Sequence, residues 1–228
     1  MTNTYTHQFL DGNPCDLPAG KVVCVGLNYA AHIKEMASQA STEPMLFIKP
    51  KSALTSLTEP LVIPQGLGSV HFETEMAILI GKQLSQCSEQ DVLPAIAGVA
   101  VALDLTLRDL QKQLRDAGHP WEKAKGWDGA CPVSAFVSPD KISDLQNIDL
   151  QLEQNGVSKQ DGNTAQMLSP VAPLITYMSR FFTLEPGDVI LTGTPEGVGP
   201  LEPGDQLTVK LGELLSITVT DIRFRESS

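Results

Sequence analysis

HFETEMAILIGK, residues 71–82, is the stretch on which the reading of the chain turns. The unbroken apolar run Met76–Ile80 marks a buried strand, and Phe72 extends the apolar surroundings in the other direction. Successive side chains of a strand point to opposite faces, so Glu73 and Glu75 share one face, about 7 Å apart along the chain. An unpaired carboxylate is strongly disfavoured in apolar surroundings unless a positive charge neutralises it. Two readings stand side by side: an edge strand whose glutamates face water, or a carboxylate pair neutralised by a bound cation.

Working outward, KVVCVGL (21–27) is a short β-branched run and reads as a second buried strand. Asn28 then stands as the N-cap of a helix through YAAHIKEMAS, on which His32 and Glu35, three residues apart, are neighbours on one face. MLFIK (45–49) and LVI (61–63) are further short strands, each ended by proline. AIAGVAVALDL (95–105) delivers a single acid, Asp104, at a strand's exit. Thr106 with Asp109 forms a capping-box variant for the helix LRDLQKQLRDA, which Gly118 closes. The alternation in IDLQLEQNGVSKQDG around Asn155-Gly156 predicts a hairpin with a tight turn. A helix is expected between Thr164 and Thr183, beginning near Pro170. The remainder, DVILTGTP, QLTVKL and LLSITVTDIRF, is β-rich, and LEPGD at 184–188 and 201–205 reads as one Pro-Gly turn used twice.

At 228 residues and 42% apolar composition the chain is long enough for one substantial core, and one domain is expected. Sixteen basic against 27 acidic residues give a net charge of −11, which argues against nucleic acid or an anionic membrane surface as the main partner. The first residues lack a basic start and an apolar segment, and no 18-residue apolar stretch occurs, so a soluble cytoplasmic protein is expected, or an organellar one without its targeting segment. Cys15, Cys24, Cys87 and Cys131 show no CxxC pair; free thiols and no zinc site follow.

Several groups could carry chemistry. Glu73, Glu75 and Asp104 offer three carboxylates in or beside apolar strands, and hard divalent cations such as Mg²⁺, Mn²⁺ or Ca²⁺ take oxygen ligands while leaving positions open for a substrate. His32 with Glu35 reads as a general base and its orienter, or as two surface residues of an amphipathic helix. WEKAKGWDGACP offers Lys123 and Lys125, either solvated or drawn toward carboxylates. Arg108 is a candidate for a substrate carboxylate. The glycines of ILTGTPEGVGP (190–200) can turn backbone N–H groups toward an anion, but the spacing is not that of a nucleotide-binding P-loop.

Taken in order, VGLNYAAHIKEM, MLFIKP, HFETEMAILIGK, ALDLTLRDLQ, PWEKAKGWDGACPVS and LTGTPEGVGP resemble the fumarylacetoacetate hydrolase family. The similarity is to its short single-domain branch of acylpyruvate hydrolases and oxaloacetate-processing enzymes. It implies an α+β, β-rich fold, a mixed β-roll with peripheral helices, with residues 1–20 as an N-terminal extension and 21–228 as the catalytic domain. It implies a Mg²⁺ or Mn²⁺ site at Glu73, Glu75 and Asp104, with Ca²⁺ able to replace them in crystals. It implies catalytic roles for His32, Glu35 and Lys125, substrate contacts at Arg108, Gln111 and Thr194, and a homodimer. The activity implied is cleavage of a carbon–carbon bond in a small 2-oxo acid or dicarboxylate. Hydrolysis of an acylpyruvate through a pyruvate enolate held at the metal stands first, since a water-activating His-Glu pair has a clear task there. Oxaloacetate decarboxylation, and keto–enol tautomerisation or double-bond isomerisation, share that intermediate and stand as alternatives; a non-catalytic dicarboxylate binder is the rival from another class.

Overall fold

The computed structural model describes residues 5–36 and 42–225. Its centre is a seven-stranded mixed sheet in the order Met45–Lys49, Val22–Gly26, Val189–Leu191, Thr74–Ile80, Ile96–Leu103, Cys131–Val133, Leu54–Ser56. Every residue of Thr74–Ile80 is buried. The sheet is covered on both faces, which is why its strands read as continuous apolar runs rather than alternating ones. Met76, Ile78 and Ile80 join Val23, Val25, Val99 and Val101 in the larger core. Ala77 and Leu79 face the other way, with Val22, Cys24, Ala100, Ala102 and Cys131. Small side chains dominate that second face, and Glu75 and Asp104 continue its two-residue periodicity at the sheet's end.

The leading stretch is not one strand. Val70–Phe72 belongs to a separate three-stranded sheet with Gly199–Pro200 and Thr106–Leu107, and pairing resumes in the large sheet only at Thr74. Glu73 sits at this change of sheet, where its carbonyl accepts from the Asp104 N–H at 2.8 Å. Since Thr74 pairs with Leu103 and Glu75 with Ala102, the same register sets Asp104 beside Glu73.

Two expected caps are corrected. The helix after the first strand is Ala30–Glu35, and its N-cap is Tyr29 without a side-chain cap. The Asn28 side chain is committed elsewhere: its amide donates to Ser169 O and Thr192 O, and its oxygen accepts from Ser169 N. The expected continuation of this helix through Ala37 and Ser38 lies outside the described residues. At Arg108–Asp116 the N-cap is Leu107. Thr106 is part of a two-residue strand and donates its hydroxyl to Asp104 O, while Asp109 accepts from Ser69 N. Backbone groups of neighbouring segments took both polar side chains that local spacing had assigned to a cap. Gly118 does end the helix, at φ +67 with its N–H on Arg115 O.

The hairpin forms as read, Asp149–Gln154 against Val157–Asn163, with Asn155 and Gly156 both at positive φ as a tight turn of this kind requires. It joins Leu207–Leu211 and Leu215–Val219 in a four-stranded antiparallel sheet. The late helix is Val171–Met178, entered from Pro170. Both LEPGD turns have one construction: Asp188 accepts from Glu185 N and Asp205 from Glu202 N, with Gly187 and Gly204 at positive φ. Tyr5 and Phe9 pack against the small-residue face, Gln8 and Leu10 bond Phe136 through their backbones, and His7 bonds Gly187 O. Among the described residues no helix is long and apolar enough to cross a membrane. The four cysteines are free.

Candidate metal and catalytic centre

A cavity of about 710 Å³ opens at the end of the sheet where Glu73, Glu75 and Asp104 emerge. One carboxylate oxygen from each of the three lies within 4.8 Å of the others, and all three residues are buried. His32, Glu35, Arg108, Gln111, Lys125 and Thr194 line the same cavity. All nine candidates from the sequence therefore meet at one place, although they come from five separate stretches of chain. Lys123, the other lysine of its motif, is exposed and outside it.

The acids are held differently. Glu73 Oε2 accepts from Lys125 Nζ at 2.8 Å, and its Oε1 pairs with Arg108, whose other arm donates to Gln111 Oε1 at 2.6 Å. Burial pushes the Glu73 carboxyl up, but the Lys125 and Arg108 charges outweigh it and hold the group well below the usual carboxylate range. Glu75 has no such partner: Gly193 N donates to Oε2 at 2.6 Å. Burial, then the Asp104 and Glu73 carboxylates, push its carboxyl far up. Asp104 Oδ2 accepts from Lys125 at 2.6 Å, and its buried Oδ1 receives no hydrogen bond among the described residues. Lys49 Nζ stands 2.7 Å from that oxygen as an ion pair. A set of clustered oxygen donors and one carboxyl strained upward by its like-charged neighbours suit a hard divalent cation. Lys125 is itself buried; burial lowers its ammonium, but Asp104 and Glu73 together raise it, so the amine is charged.

On the short helix Ala30–Glu35, His32 Nδ1 lies 3.1 Å from Glu35 Oε2, which leaves Nε2 for the cavity. Glu35 Oε1 accepts from Gly197 N at 3.0 Å. The glycine loop does turn N–H groups toward anions, and those anions are the site's own Glu75 and Glu35. Thr194 in that loop accepts at Oγ1 from Gln160 Nε2 at 2.8 Å, and Gln160 Oε1 accepts from Thr74 N at 2.9 Å. Met45, Phe47 and Trp121 give the cavity an apolar lining, with Lys125 Nζ 5.0 Å from the Phe47 ring centroid.

Sequence reasoning missed Gln160 and Lys49. Gln160 lies in the hairpin, 34 residues before Thr194, and nothing local distinguishes it from its polar neighbours. Lys49 left a signal, a lysine ending an apolar strand, but strand-end lysines are commonly solvated. Here it is fully buried.

The family model for the fumarylacetoacetate hydrolase C-terminal region matches residues 21–222. Oxaloacetate tautomerase YcgM of Escherichia coli K12 is 56% identical over 206 residues, spanning 90% of this chain and 94% of its own. A mitochondrial oxaloacetate decarboxylase of Dictyostelium discoideum is 42% identical over 205 residues, spanning 90% and 92%. A crystal structure of fumarylpyruvate hydrolase from Pseudomonas aeruginosa, in complex with Mn²⁺ and pyruvate, superposes with a TM-score of 0.90 at 32% identity, covering 99% of this chain and 98% of that one.

Proposed function

This chain belongs to the fumarylacetoacetate hydrolase family, and we propose that it is a divalent-cation-dependent enzyme catalysing keto–enol tautomerisation of a small 2-oxo dicarboxylic acid, oxaloacetate. The observation that carries this reading is the His32–Glu35 pair facing the three-carboxylate cluster across one cavity. The tautomerase and decarboxylase names of the two curated relatives favour the oxaloacetate alternatives over acylpyruvate hydrolysis, which ranked first from the sequence.

Glu73, Glu75 and Asp104 would hold Mg²⁺ or Mn²⁺, which supplies Lewis-acid polarisation of the 2-oxo oxygen. Arg108 and Gln111 bind and orient the substrate carboxylate, and Thr194 supplies a hydroxyl on the opposite side. In the keto-to-enol direction His32 takes the proton from the carbon next to the 2-oxo group and delivers it to the 2-oxo oxygen, and in the reverse direction it carries the proton from that oxygen back to the carbon. Glu35 fixes the imidazole tautomer, with its own position set by Gly197 N. The Lys125 ammonium stabilises the oxyanion that develops as the proton leaves. The apolar lining of Met45, Phe47 and Trp121 keeps bulk water from the reacting carbon.

Decarboxylation breaks the bond to CO₂ at the carbon that loses a proton in tautomerisation and gives the enolate of pyruvate, so both reactions develop negative charge on the same 2-oxo oxygen and compete at one centre. The test supplies oxaloacetate to the Mg²⁺-loaded protein and follows enol absorbance together with pyruvate formation. Acceleration of enol–keto exchange well beyond pyruvate release is expected. Pyruvate formation without faster exchange would make the enzyme a decarboxylase, and acetylpyruvate cleavage exceeding both would restore hydrolysis.

A further inference from the structure

Lys49 has no part in the chemistry above, yet it is among the largest fully buried side chains of the protein. It ends the strand Met45–Lys49, and its ammonium donates to Leu105 O at 3.3 Å, to Ala130 O at 3.0 Å and to Lys125 O. Three carbonyls use all three of its protons. The charge that remains faces Asp104 Oδ1 at 2.7 Å, a contact without hydrogen-bond geometry that accounts for the otherwise orphaned oxygen.

Those partners are not a random set. Leu105 immediately follows Asp104, and Lys125 and Ala130 bracket the turn after the helix Glu122–Lys125. One ammonium therefore ties together the strand exit that carries Asp104 and the segment that carries Lys125. Taking a lysine fully out of water costs several kcal/mol unless its charge and donors are satisfied, so its presence specifies this one arrangement of the two segments.

We propose that Lys49 is a positioning residue. It holds Asp104 in the orientation a divalent cation requires and fixes the backbone from which Lys125 reaches the cavity. Asp104 then stands between two lysines with different tasks: Lys125 on Oδ2, lining the cavity, and Lys49 behind Oδ1, outside it. This inference rests on the reading of Asp104 as a cation ligand.

Lys49→Met would remove the charge and all three donors and strand buried carbonyls, so the informative variant is Lys49→Gln, which keeps two of the three donors on a shorter side chain and loses the charge. Groups behind a metal ligand change affinity or activity by roughly 10- to 100-fold. Lys49→Gln is expected to weaken Mn²⁺ binding by calorimetry about tenfold or more. Its kcat should stay depressed by a similar factor at saturating Mn²⁺, because Lys125 is displaced as well. In a double-mutant cycle, adding Lys49→Gln to Asp104→Asn should weaken Mn²⁺ binding no further than Asp104→Asn alone. A Lys49→Gln protein that melts lower but keeps Mn²⁺ affinity and kcat would overturn the proposal, and so would one that cannot fold, since Lys49 would then be a folding residue. Unchanged Mn²⁺ affinity in Asp104→Asn would overturn the cation site itself; loss there without loss in Lys49→Gln overturns this inference alone.

Discussion

Glu73 and Glu75, two positions apart, carry opposite electrostatic burdens. Glu73 is balanced by Lys125 and Arg108 in direct ion pairs, whereas Glu75 is opposed by burial, Asp104 and Glu73, which outweigh the more distant Lys125 charge and the Gly193 N–H. A divalent cation relieves the second situation. Glu73→Gln and Asp104→Asn are accordingly expected to lose most Mg²⁺ affinity in calorimetry, and unchanged binding in both would remove the site. His32→Ala is expected to slow enol–keto exchange by roughly 100-fold to 10,000-fold, the usual worth of a positioned general base. Glu35→Gln should slow it less, because the imidazole stays in place with a weaker orienter. Stopped enol absorbance on the Mg²⁺-loaded variants decides both, and a His32→Ala protein as fast as the parent would remove the base assignment.

Among the elements, the loop after Val189–Leu191 bears most on the site, since its Gly193 and Gly197 N–H groups hold Glu75 and Glu35. Gly197 has φ +96, and a Cβ there would come 1.8 Å from Lys159 O in the hairpin. Gly197→Ala is expected to cost about 1–3 kcal/mol of stability, read as a shifted denaturant midpoint, and to reduce turnover by moving Glu35. The N-terminal segment responds to pH instead. Burial lowers the His7 imidazole below its ordinary value, and the groups facing it are the Tyr5 hydroxyl, the Gly187 carbonyl and the Phe136 ring. With the folded value below the unfolded one, the stabilisation is intact above about pH 6.5 and is lost as pH falls below it. Hydrogen exchange at Leu10, whose N–H donates to Phe136 O, should therefore rise relative to the sheet between pH 7.5 and 5. His7→Gln should flatten that dependence.

On the scale of the whole molecule, cations are few, and five of the sixteen basic residues, Lys49, Arg108, Lys112, Arg115 and Lys125, gather in or behind one cavity of an acidic protein. Five acids line the same cavity, so with a divalent cation added the balance there turns positive; a dianionic substrate is then expected to be drawn inward against a net charge of −11, and raising ionic strength should lower kcat/KM for oxaloacetate more than kcat. A salt-independent kcat/KM would count against it. The homodimer implied by the family resemblance predicts sedimentation at about twice the 24.5 kDa chain mass, and a monomer across micromolar concentrations would set it aside.

The sequence by itself determined five of the seven strands of the central sheet, all but the short Leu54–Ser56 and Cys131–Val133, together with the Asn155-Gly156 hairpin, the paired LEPGD turns and, with the family resemblance, the nine residues that meet in the cavity. Those features are written in local periodicity, turn chemistry and ordered motifs, which need no knowledge of distant contacts. Only the tertiary structure decided that the leading strand breaks at Glu73, because the break comes from pairing with Gly199–Pro200 and Thr106–Leu107, far along the chain. It also took Asn28, Thr106 and Asp109 from their expected caps, since a polar side chain goes to whichever unpaired backbone group the fold sets beside it. Lys49 shows the same limit most sharply. Its side chain is that of any lysine, and burial against three carbonyls and a carboxylate, from residues 55 to 81 positions away, is a property of the assembled fold alone.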